Sequence, residues 1–106
     1  ESIDAVVSFE TIEHLPDPVP FLQRVRSSLR AGGKLFCSTP NQTTMPFKKE
    51  RFPYHVRHFT PDEFRVLLEG CGFEVLSMHS QHDVNSEGIN DDEDGLFLLA
   101  IATPLE

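Results

Sequence analysis

The chain has 106 residues, room for one small domain, and its 39% hydrophobic and 25% charged residues are an ordinary balance for a globular protein. No apolar run approaches the roughly 18 residues that cross a bilayer, and no basic, then apolar, leader opens the chain, so neither a membrane span nor a signal peptide is expected. A net charge of −8 weighs against non-specific nucleic-acid binding, which depends on Lys and Arg meeting phosphates; Cys37 and Cys71, both in apolar segments, read as buried thiols of a reducing, cytoplasmic compartment.

In chain order, Ala5, Val6, Val7, Ser8 and Phe9 form a short apolar run with β-branched members and predict a buried strand. Asp17 is the expected cap of a first helix, with Pro18 at its first position. Leu22, Val25 and Leu29 then recur at helical spacing, and Gly32-Gly33 is the expected stop. Residues 34–39 predict a second strand, ended by Pro40. Residues 40–59 carry Pro40, Pro46 and Pro53 and read as a long loop, a length that in a small domain often serves function.

Thr60, Pro61 and Glu63 make a capping box for a second helix whose stripe is Phe64, Leu67, Leu68 and Cys71, with Gly72 ending it. Residues 73–78 predict a third strand. Residues 83–95 are too acidic to bury themselves and are expected to be a solvated, disordered loop. Residues 96–103 are nearly all apolar and predict a fourth strand buried on both faces. The order β-α-β-α-β-β gives an α/β fold. Its first three strands should be parallel, with right-handed crossovers, and its last, reached without a helix, antiparallel.

Glu10, Glu13 and His14 follow directly on the first strand, at the sheet end where open α/β folds bind ligands. Two carboxylates and an imidazole, with His55 from the loop after the neighbouring strand, form a candidate set for Mg²⁺, Mn²⁺ or Zn²⁺. His14 and His55 are also the candidate catalytic bases, because an imidazole titrates near neutrality. The bland alternative has Glu13 and His14 capping the next segment. Lys48, Lys49, Arg51, Arg57 and the histidines make the loop locally basic, either a solvated face or a lid that attracts an anionic acceptor; Tyr54 and Arg57 are the candidate substrate contacts.

Several segments together resemble the C-terminal half of class I, Rossmann-like, S-adenosylmethionine-dependent methyltransferases of the type 11, ubiquinone-pathway O-methyltransferase kind. Residues 4–9 followed by Glu10-Thr11-Ile12-Glu13-His14-Leu15 look like the family's fourth strand and the acidic motif beyond it. Leu29-Arg30-Ala31-Gly32-Gly33 is similar to its LxPGG turn, with Ala31 in place of the proline, and Ser38-Thr39-Pro40-Asn41 to the end of its fifth strand. Tyr54-His55-Val56-Arg57-His58-Phe59-Thr60 and Gly72-Phe73-Glu74-Val75 match the approach to its next helix and strand.

The resemblance implies a partial Rossmann-like sheet over residues 1–104, with Leu105-Glu106 set aside as a cloning scar. The last strand would lie antiparallel between the fifth and sixth strands of the family. S-adenosylmethionine is the implied cofactor. No G-x-G-x-x-G turn occurs, so only the edge of the cofactor pocket is expected here, at Ser8, Phe9 and Glu10, and the chain alone should bind the cofactor weakly and be inactive. The Glu-x-x-Glu-His set with a distant His also resembles the metal site of small-RNA 3′-end 2′-O-methyltransferases, in which the metal holds the acceptor hydroxyls.

Three functions follow as alternatives: O-methylation of a small molecule or saccharide by the parent enzyme, methylation of RNA 2′-hydroxyls, or a non-catalytic module that acts by association. The missing first-strand neighbour would leave the edge of the strand at residues 5–9 bare and one sheet face without helices, so a homodimer of the isolated chain is expected.

Overall fold

The computed structural model describes residues 3–82 and 88–105. Its elements are β1 (Ile3–Phe9), a 3₁₀ turn (Ile12–His14), α1 (Val19–Ser28), β2 (Leu29–Pro40), α2 (Pro61–Gly70), β3 (Phe73–Gln81) and β4 (Phe97–Pro104). The strands build one sheet of order β1-β2-β4-β3. β1 lies parallel to β2, and β4 runs antiparallel to both β2 and β3. β4 therefore fills the gap between two strands of the opposite sense, as expected.

Side-chain alternation along the paired strands divides the sheet into two unequal faces. Leu35 is paired with Ala102, Cys37 with Ala100 and Thr39 with Leu98, and all six are buried. Leu22 and Val25 of α1 and Phe64 and Leu68 of α2 belong to the same core cluster, together with Phe73 and Met78. Burying each such aliphatic or aromatic side chain stabilises the fold by about 1.5–3 kcal/mol. The opposite face carries Val7 and Phe9, 62% and 56% exposed, and the half-buried Phe36, Leu99 and Ile101. β4 is thus buried on one face only, not both, because among the described residues both helices pack on the same side.

The helix signals hold with small shifts. Thr60 and Glu63 form the full capping box of α2. The cap of α1 falls on Pro18 rather than Asp17, although the Asp17 carboxylate still accepts the Val19 N–H at 3.1 Å. α1 ends at Ser28, four residues before Gly32, because Leu29 already pairs with Ile3 and begins β2. β3 runs on to Gln81, since β4 supplies partners as far as Phe97. Gly72 has a φ of +93° and its carbonyl accepts from Arg26 Nε at 2.8 Å, while Arg26 Nη2 donates to the carbonyl of Leu105 at 2.7 Å. Leu105, first set aside as a scar, also donates its N–H to Gly72 at 2.8 Å. Both cysteines are free and buried.

The acidic segment departs most from expectation. Residues 83–87 lie outside the described residues, but residues 88–95 are tied down. Asn90 and Ser80 exchange two main-chain hydrogen bonds, and Arg65 meets Glu93 at 3.1 Å. Asp92 accepts the buried Ser80 hydroxyl at 2.5 Å and faces His82 Nε2 at 2.8 Å. Gly95 sits where a Cβ would stand 2.5 Å from the Gln81 carbonyl. Charge along the sequence pointed to solvent, but each acidic group named here has a polar or basic partner.

The Ser80 hydroxyl, then His82, hold the Asp92 carboxyl down at about 2, against 3.8 for a free side chain. The unfolded chain therefore takes up this proton first as pH falls, so the contribution is complete above 3.8 and disappears toward 2. Asp92→Asn should lower the melting temperature at neutral pH, and thermal denaturation should show the difference from wild type closing as the pH falls through that window.

Candidate functional site

The site begins where β1 ends. Parallel register carries Phe9 opposite Ser38, so β1 and β2 finish side by side at their carboxyl ends. The Glu10 N–H still donates to the Ser38 carbonyl at 3.0 Å, and then Glu10 turns the chain with a φ of +56°, a left-handed backbone that costs a side-chain-bearing residue about 1 kcal/mol or more. That turn feeds the 3₁₀ segment holding Glu13 and His14. The long loop returns to the same place: the Val56 N–H donates to the Glu13 carbonyl at 2.6 Å. A main-chain bond thus joins residues 13 and 56, and His55 arrives beside His14 with ring centroids 4.7 Å apart.

Glu13, His14 and His55 each offer one ligand atom, and these atoms lie within 4.8 Å of one another. Glu13 is fully buried; its Oε1 accepts the Thr39 hydroxyl at 3.3 Å, and its Oε2 has no hydrogen-bond partner, with His14 Nε2 at 3.7 Å. A buried lone carboxylate oxygen is costly unless something completes it. Burial pushes the Glu13 carboxyl above the usual range, opposed by its backbone bond and by His14. The His14 Nδ1–H donates to the Tyr54 carbonyl at 2.8 Å, which fixes Nε2 as its lone-pair atom.

Glu10 is not part of this trio. Its αL turn and the Ser38 hydroxyl, which donates to Oε2 at 2.9 Å, hold its carboxyl back against β2. Burial first, and the Glu13 carboxylate second, raise it from 4.5 to about 7. Glu10 and Phe97 form the rim between two cavities. One, of about 300 Å³, is lined by Phe9, Ile89, Phe97 and Leu99; the other, of about 600 Å³, by Thr44, Met45, Arg51, Phe52 and His55. Burial pushes the neighbouring Cys37 thiol up to about 12, so it is an inert part of the core.

The remaining sequence candidates divide. Ser8 is buried on the helix-covered face with its hydroxyl against the Cys37 thiol of the paired strand, and Phe9 is exposed on the other face. The Tyr54 side chain is 82% exposed and does not line the cavity shared by Glu10 and His55; only its carbonyl serves the site. Arg57 is drawn to α2, where it pairs with Glu63 at 3.3 Å and stacks on Phe59, so it lines a separate depression. Arg51 and Phe52, rather than Tyr54 and Arg57, line the cavity that holds Glu10 and His55. His58, buried behind His55, was counted in the sequence only as a loop charge, although the His55-x-x-His58 spacing was visible.

A half-sheet with β1 parallel to β2, an antiparallel last strand slotted before the third, and acidic and imidazole groups at its carboxyl end defines the class of Rossmann-like α/β domains that bind ligands at that end. Comparison with known proteins makes this specific. The family described as "Methyltransferase domain" matches residues 1–78. A probable S-adenosylmethionine-dependent methyltransferase of Mycolicibacterium smegmatis is 41% identical over 76 residues, 70% of this chain and 30% of that protein. The ubiquinone biosynthesis O-methyltransferase of Dinoroseobacter shibae is 32% identical over 89 residues, covering 72% of this chain and 36% of that one. A SAM-dependent methyltransferase structure from Thermotoga maritima superposes with a TM-score of 0.82 at 20% identity, over 98% of this chain and 57% of that one. The chain belongs to the S-adenosylmethionine-dependent methyltransferase family, and it spans about a third of the length of the curated relatives it matches.

The raised Glu10 carboxyl has a consequence for stability. Between 4.5 and about 7 the folded state keeps a proton that the unfolded chain gives up, so stability falls as pH rises through this window. Glu10→Gln keeps an acceptor for Ser38 and removes the charge. After allowance for solvent reaching this half-buried group, it should stabilise the fold by about 1–2 kcal/mol in alkaline buffer and by little in acid. Urea unfolding at the two pH values measures the difference.

Proposed function

We propose that the protein to which this chain belongs methylates an oxygen atom of a small-molecule or saccharide acceptor, with the acceptor hydroxyl held at Glu13, His14 and His55. The observation that carries this reading is the unpartnered, fully buried Oε2 of Glu13 beside the Nε2 of His14, both at the carboxyl end of β1. Bound S-adenosylmethionine supplies a methyl group on a sulfonium centre, and Ser8, Phe9 and Glu10 are the residues here that would border it. Glu10 fits that role by standing at the carboxyl end of β1 on the wall of both cavities, and most of the cofactor would be held by other parts of the parent protein.

A divalent cation suits the trio, because one carboxylate oxygen and two imidazole nitrogens are a hard-to-borderline donor set and the carbonyl bonded to His14 sets that ring's tautomer. When bound, such an ion lowers the pKa of a coordinated hydroxyl. The chain's own residues would do the rest. Glu13 and His14 orient the acceptor, the single free lone pair of His14 or of His55 either holds the ion or, where no ion sits, takes up the acceptor's proton, and the Phe52 and Phe97 rings keep the cavity apolar and exclude water. Arg51 on the cavity wall favours an anionic acceptor. The charge of −8 weighs against RNA as that acceptor.

The test is methyl transfer from labelled cofactor by the protein at its natural length, with and without Mn²⁺. Glu13→Gln combined with His14→Ala should remove Mn²⁺ stimulation and cut turnover by about 100-fold. The isolated chain should show no turnover. Metal dependence left intact in the double variant would eliminate the metal from this reading.

We also infer that the isolated chain self-associates as a homodimer. Among the described residues the outer edge of β1 has no strand beside it, and Val7 and Phe9 stand exposed on the face that carries no described helix. Light scattering at high concentration should give twice the monomer mass, and Val7→Lys should return it to one; a wild-type monomer would refute the inference.

A further inference from the structure

His58 is 2% exposed and lies outside the trio, yet it controls one of its members. Its Nδ1 faces the Met45 carbonyl at 2.7 Å, and a carbonyl can only accept, so Nδ1 carries the proton. In a neutral ring Nε2 must then be the acceptor. That Nε2 stands 2.7 Å from Nδ1 of His55, so the His55 proton is on Nδ1 as well. The remaining nitrogen of His55, Nε2, is left with its lone pair. The direction of the whole relay is set by one main-chain carbonyl.

The relay is held rigidly at its buried end. Met45 N–H donates to the Asn41 carbonyl at 2.7 Å, and Asn41 is bridged to Phe59, the residue after His58. Phe47 and Phe52 pack edge-on against the His58 ring at 5.5 and 4.6 Å, and Phe52 also stacks on His55. These contacts leave neither ring free to flip. His14 is treated the same way by the Tyr54 carbonyl. Both imidazoles of the trio are therefore set with Nδ1–H outward to a fixed acceptor and Nε2 as the donor atom, the arrangement that outer partners impose on ligating histidines.

We propose that His58 is a positioning residue: it accepts the Nδ1–H of His55 and so fixes Nε2 of His55 as the atom that meets a cation or an acceptor proton. The hydrogen-bond relay alone carries the tautomer assignment; its bearing on metal affinity rests on the metal reading above.

Two measurements separate the two. In the protein without metal, ¹⁵N NMR of labelled imidazoles in mildly alkaline buffer should find His55 in the Nδ1–H form. His58→Phe, which keeps the aromatic packing, should shift it toward the Nε2–H form, and His58→Gln, which can both donate to Met45 and accept from His55, should restore it. An unchanged His55 tautomer in His58→Phe overturns the proposal. In Mn²⁺ titrations followed by electron paramagnetic resonance, His58→Phe should bind about tenfold more weakly than wild type, with His58→Gln close to wild type. Weak binding in His55→Ala with full affinity in His58→Phe also overturns it. If wild type and His55→Ala bind Mn²⁺ equally poorly, the metal reading fails while the NMR result still decides the role of His58.

Discussion

Parallel pairing of β1 with β2 is the constraint from which the site follows. It brings two strands to an end on the same side, so whatever follows each of them must share one small volume. Glu10 exploits this at once, bonding through its N–H and its carboxyl to Ser38 on the neighbouring strand. With an antiparallel pair the residues after β1 and the loop after β2 would lie at opposite ends of the sheet. Glu13 and His55, 42 positions apart, would then have no reason to meet.

What the register brings near, main-chain carbonyls orient. The carbonyl of Glu13 holds Val56, that of Tyr54 holds His14, and that of Met45 holds His58. Backbone acceptors do not titrate and do not rotate away, so they are durable guides for imidazole tautomers. The exposed side chain of Tyr54 and the α2-bound side chain of Arg57 show the same economy: the loop contributes to the site through its main chain more than through the groups that look reactive in the sequence.

Local signals explain why so much of the fold was legible. The Thr60–Glu63 capping box needs only four consecutive residues, and it appears intact. The apolar run at residues 96–103 implies a strand, found at Phe97–Pro104, and the helix-free approach to it implies its antiparallel sense. Where reading failed, the deciding partner was distant. α1 stops early because Ile3 claims Leu29, and Asp92 and Glu93 of the acidic segment are tied down because Ser80, His82 and Arg65 lie across from them. The trio Glu13–His14–His55 was visible from residue types and strand ends. The bond that draws the Glu10 carboxyl to Ser38 was not, since it depends on a left-handed turn and a hydroxyl 28 positions away. Nor was the relay through His58, since a tautomer is decided by what each nitrogen touches.

The Arg26–Gly72 contact has an evolutionary corollary. A Cβ at position 72 would come within 2.5 Å of the guanidinium nitrogen that now joins α1 to the start of β3 and, through Leu105, to the end of β4. The positive φ at the same residue penalises any branched replacement independently. Drift at either site alone would break the joint between α1 and the paired β3 and β4. Positions 26 and 72 should therefore covary across relatives, with glycine surviving wherever arginine does and a shorter residue at 26 preceding any side chain at 72.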